Sequence, residues 1–277
     1  MALWVRGGLH YMTPVLVFDI ETVPDIEGLR NLHGLGDLEA HDIAEFAFSK
    51  RRAKAGTDFL PLHLHQVVAI SCALREGDTF RVWSLGRSDE SEASLIKRFY
   101  DGVDRYTPQL VSWNGGGFDL PVLNYRALVN GISASRFWEW GDEDRSFGYN
   151  NYVSRYHKRH IDLMDLLSMY QPRATAPLDS IAQLCGFPGK IGLEGSAVWG
   201  EWSTGGVDKV RAYCEADVAN TYLVWLRFQL LRGVFDHSRY DTEIQLVRNT
   251  LGRSSDPHWL EFLELWNRAM QRTRTDG

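Results

Sequence analysis

The segment PVLVFDIETV, from Pro14 to Val23, constrains the fold of this chain more than any other stretch. It is apolar and β-branched almost throughout, a pattern typical of a strand buried on both faces. Because side chains alternate along a strand, Asp19 and Glu21 point to the same face. A buried carboxylate without a partner is very costly, so the segment predicts a central strand that carries a cation site. On this pair alone an alternative fits equally well, in which both acids lie past the strand end and cap a turn.

The residues that follow alternate between strand and helix patterns. Residues 67–75 and 79–85 are predicted to form a hairpin, and residues 109–113 a further strand. Residues 92–106 and 118–131 have the spacing of helices. The pattern predicts an α/β fold with a mixed central sheet flanked by helices. Further helices are predicted near residues 162–170, 178–186, 207–234, 239–251 and 256–272.

The length of 277 residues suits one enlarged domain better than two complete ones. We therefore expect a single domain over residues 1–277, with a core from about residue 14 to 234. Residues 25–64 mix glycine, charged residues and the basic stretch SKRRAK, and we interpret them as a partly helical insertion after the first strand. Residues 235–277 are predicted to form a helical C-terminal extension.

The composition excludes some classes of protein. A net charge of −6 argues against a protein that coats duplex DNA through a broad basic face, because such binding depends on neutralised phosphates. The three cysteines have no paired spacing that would indicate a zinc site or a disulfide framework. The N-terminus has no secretory signal pattern, and no uncharged apolar run approaches the length of a membrane span. We expect a soluble cytoplasmic protein without a membrane partner.

The string SWNGGGFDLP places Asp119 where a strand ends, glycines permit close approach and a helix begins. Taken alone, Asp119 fits an ordinary helix N-cap. Asn114 is a candidate donor to a nucleic-acid strand, and Phe118 a candidate ring for stacking on a base. Considered singly, each of the two residues is better explained by simple packing.

Tyr213 and Asp217 are four residues apart in a long helical pattern, so they share one helix face. A half-buried tyrosine beside an exposed aspartate on an amphipathic helix would explain this pair alone.

In chain order, these segments resemble the three exonuclease motifs of the DEDDy group. The segments are D-I-E-T from Asp19 to Thr22, N-x-x-x-F-D-L-P from Asn114, and Y-x-x-x-D from Tyr213. The likeness spans roughly residues 14–230 and points to the proofreading exonuclease domain of family B DNA polymerases and to related stand-alone bacterial proteins. It implies an RNase H-like (DnaQ-like exonuclease) fold and hydrolysis of nucleic acid from the 3′ end.

The resemblance also implies two divalent ions, Mg²⁺ or Mn²⁺, held by Asp19, Glu21, Asp119 and Asp217. Oxygen ligands suit these ions, and carboxylates without metal would only repel an anionic phosphate. We expect Asp19 to touch both ions, Glu21 and Asp217 the ion on the nucleophile side, and Asp119 the other. Tyr213 is expected to orient the attacking water. The substrate-binding candidates are Thr22, Asn114, Phe118 and Lys190, the last matching the lysine that precedes the third motif in the family.

Single-stranded DNA is the favoured substrate, and a polymerase or repair partner stays open. A 3′→5′ exoribonuclease is the alternative, since the same carboxylates serve the RNase D branch and nothing here reports on the 2′-hydroxyl. A third alternative is an inactive RNase H-like binding module, which would be expected to have lost a carboxylate. We interpret His160, Asp162 and Asp165 as structural, with Asp162 as a helix cap. The basic clusters near residues 50–54 and 155–159 are not assigned a function.

Overall fold

The computed structural model describes residues 13–275, with side chains up to residue 271. The N-terminal segment in which we expect no targeting signal lies outside the described residues as far as Met12. The centre is a five-stranded mixed sheet whose strands are β1 (Val15–Pro24), β2 (His65–Glu76), β3 (Thr79–Ser84), β4 (Gln109–Ser112) and β5 (His160–Asp162). Their order is β3-β2-β1-β4-β5, with β1, β2 and β3 mutually antiparallel and β4 and β5 parallel to β1.

Ten helices of the described chain surround or extend this sheet. They are α1 (Ile26–His33), α2 (Ala40–Ala55), α3 (Glu92–Tyr106), α4 (Asp119–Val129), α5 (Leu163–Leu167), α6 (Leu178–Leu184), α7 (Val198–Ser203), α8 (Val207–Leu231), α9 (His237–Leu251) and α10 (Pro257–Thr275).

The first strand is buried on both faces, as its sequence predicts. Val15 and Val17 belong to a hydrophobic cluster formed with α8 and the C-terminal helices. Leu16, Phe18 and Ile20 point to the other face and pack against α3 and α4. Because β1 lies between two helical layers, every polar side chain along it needs a partner or a ligand.

The segment predicted as an insertion after β1 contains α1 and α2. Its apolar residues Ile26, Leu29, Ile43 and Leu60 form a small cluster of their own. Asp25 caps α1 by accepting a hydrogen bond from Gly28 N at 3.0 Å. The insertion is therefore an ordered helical hairpin beside the sheet.

Two predicted helix ends are wrong, and one short helix was not predicted. The helix expected over 162–170 ends at Leu167, because Met169 and Tyr170 adopt left-handed backbone conformations with φ of 54° and 62°. The helix expected to reach residue 234 ends at Leu231, just before Gly233 turns left-handed at φ 69°. Helix α7 was not predicted, because six residues flanked by glycines are too few to show a helical period.

The C-terminal helices α9 and α10 share the hydrophobic cluster of β1. Val247, Trp259, Phe262 and Trp266 are buried in it together with Val17. Within the described residues, none of the helices combines the length and the hydrophobicity that crossing a bilayer requires.

Candidate active site

Asp19 and Glu21 extend from β1 beyond the end of its parallel neighbour. The pairing of β1 with β4 runs only from Val15 to Val17, while β2 continues alongside. The register to β2 shifts between Glu21 and Thr22, the signature of a bulge. The two carboxylates therefore lie beyond the carboxyl end of β4, and we call the region between them and the residues of α4 and α8 described below the cleft.

Asp119 fills the position that β4 vacates. It is 3% exposed, and its Oδ1 accepts a hydrogen bond from the backbone N–H of Ile20 at 3.2 Å. Phe118 rather than Asp119 precedes the first turn of α4, and Asp119 is the first helical residue. The carboxylate is therefore directed back at β1 across 99 residues of sequence, which differs from the local N-cap considered from the sequence.

The glycine loop, residues 113–118, is held by Asp162 at the start of α5. Asp162 Oδ1 accepts from Asn114 N and Oδ2 from Gly116 N, both at 2.9 Å, and Oδ1 also caps α5 through Asp165 N at 3.2 Å. Asn114 is left-handed with φ 66°, and a Cβ atom at Gly115 would collide with Ser112. The expected capping role of Asp162 is thus present, together with an anchoring contact on the second motif.

Three side chains of α8 complete the cluster. Tyr213, 5% exposed, lies beside Asp217, 9% exposed, one turn along the helix. Cys214 is buried, and its Sγ donates to Asp19 at 3.4 Å (O) and 3.5 Å (Oδ2). Helix α8 thus contributes an acid, a phenol and a thiol to the strand that carries the first motif.

The four carboxylates have raised pKa values. Burial, with added repulsion from Asp119, Glu21 and Asp217, raises the pKa of Asp19 well above its ordinary value, and burial together with Asp217 and Asp119 does the same for Glu21. Burial raises the pKa of Asp119 to about 7 and that of Asp217 to about 6. These groups are therefore close enough to interact electrically while being shielded from water.

Lys190 is a cation whose charge acts on this cluster. It lowers the pKa of both Glu21 and Asp217 by its positive charge. Its Nζ lies 5.5 Å from the centroid of the Tyr213 ring. The lysine proposed from the sequence as a substrate contact is thus positioned at the same cleft as the carboxylates.

Thr22 and Phe118 both contact His65 rather than the carboxylates. Thr22 Oγ1 is hydrogen-bonded to His65 Nδ1 at 2.8 Å. The His65 ring packs edge-on against Phe118, with centroids 5.4 Å apart, and Phe59 from the insertion lies 5.6 Å from Phe118. This aromatic group forms one rim of the cleft and brings the insertion to it.

His160 has a structural environment, as expected from the sequence. Its Nε2 is hydrogen-bonded to Ser112 Oγ at 2.7 Å, and burial lowers its pKa to about 4. A neutral histidine that bridges β4 and β5 stabilises the sheet edge next to the glycine loop. Asp165 forms an ion pair with Arg155, with Oδ2 and Nε 3.0 Å apart.

Residues 57–266 match a family described as predicted 3′–5′ exonucleases related to the exonuclease domain of PolB. The chain belongs to this family. The matched range contains Asp119, Tyr213 and Asp217 but begins after β1, so Asp19 and Glu21 precede it. The predicted relationship to family B exonuclease domains is confirmed.

A solved relative of this exonuclease family is the family B DNA polymerase from the hyperthermophilic archaeon Pyrobaculum calidifontis. It has 19% sequence identity and a TM-score of 0.50 over 82% of this chain and 25% of the polymerase chain. The chain thus spans about a quarter of that polymerase. At this identity the similarity concerns the fold, and the RNase H-like α/β fold expected from the sequence is confirmed. No curated protein matches the chain.

Cys214 is the site residue of this family member that the sequence reasoning missed. From the sequence it is only one of three cysteines without a paired spacing. The signal was present, because a residue three positions before Asp217 shares its helix face. The His65 contact to Thr22 left no comparable signal, since it depends on the register between β1 and β2.

Proposed function

We propose that this protein is a metal-dependent 3′→5′ exonuclease that hydrolyses single-stranded DNA. The observation that carries the proposal is the gathering of Asp19, Glu21, Asp119 and Asp217 from three distant segments into one shielded cleft. Four buried carboxylates, of which Asp19 and Glu21 have pKa values raised further by the charges of the others, are unfavourable for the folded chain by themselves. Such an arrangement is typical of a site whose charge is balanced by bound cations.

The donor chemistry of the cleft fits hard divalent ions. Carboxylate oxygens are the ligands that Mg²⁺ and Mn²⁺ prefer. One ligand atom each from Asp19, Glu21 and Cys214 lie within 4.8 Å of one another. Burial raises the pKa of the Cys214 thiol well above its ordinary value, so the thiol stays protonated and donates to Asp19. We therefore assign the four carboxylates as ligands and Cys214 as a group that orients Asp19.

When bound, two such ions would supply an acidified water and stabilise the charge that develops on the phosphate. The side chains of the chain do the rest. Burial and the neighbouring Asp217 raise the pKa of the Tyr213 phenol above its ordinary value, so the hydroxyl remains a donor at neutral pH. Tyr213 can therefore orient a water molecule by hydrogen bonding but cannot take its proton. Lys190, close to Glu21 and Asp217, is positioned to attract the substrate phosphate.

The preference for DNA is supported by the family relationship to PolB and by the fold shared with a DNA polymerase. The rings of Phe59, which is 54% exposed, and of the half-buried Phe118 support an unpaired end, because accessible rings stack on bases that have left a duplex. Thr22 and Asn114 are the proposed polar contacts to the terminal nucleotide.

The deciding experiment is digestion of 5′-labelled single-stranded DNA and RNA of one sequence with Mg²⁺, with Mn²⁺ and with EDTA. We expect a ladder that shortens from the 3′ end of DNA only when metal is present. Asp19→Asn is expected to remove cleavage while the far-ultraviolet circular dichroism spectrum stays unchanged. Faster digestion of RNA would reassign the substrate. Full activity of Asp19→Asn, or of the wild type in EDTA, would refute the proposed site.

A further inference from the structure

A groove opens beside the glycine loop, at the carboxyl ends of β4 and β5. It has a volume of about 600 Å³, within the range of about 300–1,000 Å³ that ligand sites occupy. Asn114, Gly116 and Gly117 form its wall on the side of the second motif. The groove is therefore continuous with the loop that leads directly into Asp119.

Two tyrosines line the opposite wall. Tyr156 is 71% exposed, and its ring meets that of Tyr170 edge-on, with centroids 5.1 Å apart. Tyr170 and the preceding Met169 both have left-handed backbones, which residues other than glycine adopt at an energetic cost. A hydrogen bond from Tyr170 N to Asp165 O at 2.8 Å holds the turn. The backbone is thus strained at the point where Tyr170 contributes to the aromatic surface of the groove.

The groove is lined by three basic side chains, Arg155, Lys158 and Arg232, and by two acidic ones, Asp162 and Asp165. Lys158 and Arg232 are exposed on its wall, and neither has an ion-pair partner among residues 13–271. Arg155 pairs with Asp165 and lies 5.1 Å from the centroid of the Tyr170 ring. The oxygens of Asp162 are occupied by backbone N–H groups of the glycine loop. A locally basic groove in a protein of net charge −6 indicates an anionic ligand.

We propose that this groove binds the single-stranded segment just upstream of the nucleotide being removed, an assignment that rests on the proposed function. Exposed rings stack on bases of any sequence, and lysine or arginine side chains neutralise the phosphates between them. Tyr156 and Lys158 are two residues apart, so that one short segment offers both contacts. Bases within a duplex stack on each other and cannot reach Tyr156. The groove therefore selects unpaired strands and sets the length of strand that the enzyme holds.

The test compares steady-state cleavage of a long single strand with cleavage of the p-nitrophenyl ester of thymidine 5′-monophosphate, which has no nucleotide upstream of the bond that is hydrolysed. For Tyr156→Ala we expect KM for the long strand to rise about tenfold, from the loss of one stacked base, with kcat unchanged. Cleavage of the p-nitrophenyl ester should not change. For Lys158→Gln, the slope of log KM against log salt should become shallower by about 0.7, the value of one phosphate contact on a single strand.

Matched controls come from exposed residues that do not line the groove. They are Tyr149→Ala, at a residue 87% exposed, and Lys97→Gln, at a side chain 65% exposed. Both should behave like the wild type. An unchanged KM of Tyr156→Ala on the long strand, with cleavage intact, would overturn the groove and leave the proposed function standing.

Fluorescence anisotropy of a 5′-labelled single strand in EDTA separates the two proposals. One outcome is that the wild type binds the strand in EDTA in a manner that depends on Tyr156 and Lys158 and yet cleaves nothing when metal is added. In that case the groove is supported and the exonuclease is not. If the wild type neither cleaves nor binds, both proposals fail.

Discussion

At the scale of single residues, the carboxylates of the cleft make the metal-free protein sensitive to pH. Burial raises the pKa of Asp119 to about 7 and of Asp217 to about 6, and raises those of Asp19 and Glu21 well above their ordinary values. In the unfolded chain the same groups titrate near 4 (about 3.9–4.3). The folded protein therefore binds more protons than the unfolded chain in the range between these values.

We expect the free energy of unfolding in EDTA to fall as the pH rises from about 6.5 to about 8.5, because the folded protein then loses the protons that it holds in excess. Below about 6.5 the buried His160, whose pKa is lowered to about 4, opposes this trend, since the unfolded chain takes up its proton first. Added Mg²⁺ should weaken or reverse the slope by binding the deprotonated form.

Thermal unfolding midpoints across that range provide the measurement. Asp119→Asn removes one of the titrating groups and should flatten the curve. A midpoint that rises with pH in EDTA would contradict the crowding of these carboxylates.

Tyr213 contributes a hydrogen bond rather than a base, so its loss should slow the reaction without stopping it. For Tyr213→Phe we expect kcat to fall about 10- to 100-fold, equivalent to about 1.5–3 kcal/mol for one hydrogen bond to a charged group. The control is Tyr100→Phe, a buried tyrosine whose hydroxyl bonds Asn124 at 2.8 Å away from the cleft. A loss as complete as that of Asp19→Asn would instead require Tyr213 to be essential to the chemistry.

At the scale of elements, α8 positions more than its own acid. Asn220, one turn beyond Asp217 and 1% exposed, accepts from Gly189 N at 3.2 Å and donates to Gly189 O at 2.7 Å. Asp179 Oδ1 accepts from Lys190 N at 2.7 Å on the other side of the loop. The helix that carries Asp217 therefore also fixes the backbone that carries Lys190.

We predict that Asn220→Ala reduces the free energy of unfolding by about 1–3 kcal/mol, because a buried backbone N–H and C=O lose their partners. It should also lower kcat, since Lys190 is no longer held at the cleft. In a double-mutant cycle, Lys190→Met should cost little further activity once Asn220 is replaced.

Gln229→Leu is the matched control, as a buried amide on the same helix whose Nε2 has no hydrogen-bond partner in the described part of the chain. It should leave kcat unchanged. Additive effects of the Asn220 and Lys190 substitutions would mean that Asn220 does not act on kcat through Lys190.

The elements differ in how far their sequences reveal them. Helix α3 and strand β1 were predictable, since each has a clear hydrophobic period or an unbroken apolar run. The convergence of Asp19, Asp119 and Asp217 followed from motif order, but the hydrogen bond from Ile20 N to Asp119 did not, because it depends on where β4 stops. The hydrogen bonds of Asn220 to Gly189, which hold the loop of Lys190, were equally hidden, since one asparagine in an apolar helix has no local signature.

At the scale of the whole molecule, the C-terminal helices are tied to the sheet by a buried ion pair. Glu243 of α9, 5% exposed, accepts two hydrogen bonds of 2.8 Å from the guanidinium of Arg75 on β2, and one of 3.3 Å from Tyr222. The hydrogen bond to Glu243 raises the pKa of Arg75. Within residues 235–277, expected from sequence to be an extension, the helices α9 and α10 thus pack on one face of the sheet and share its core.

This pair should be important for stability and irrelevant to chemistry. Glu243→Ala leaves a half-buried arginine without its carboxylate, and we expect the free energy of unfolding to fall by about 1.5–3 kcal/mol, a sizeable share of the roughly 5–15 kcal/mol typical of a folded protein. The double replacement Arg75→Met with Glu243→Met removes both charges and should recover most of the loss.

Arg75 lies four residues along β2 from Ser71, the partner of Asp19, or about 13 Å at ~3.3 Å per residue. Below the unfolding transition, kcat of all these variants should therefore equal that of the wild type. Urea unfolding followed by tryptophan fluorescence measures the first effect and cleavage at low temperature the second. A double variant as unstable as Glu243→Ala would mean that the C-terminal helices need the charge itself, whereas a lowered kcat would mean that these helices act on the cleft.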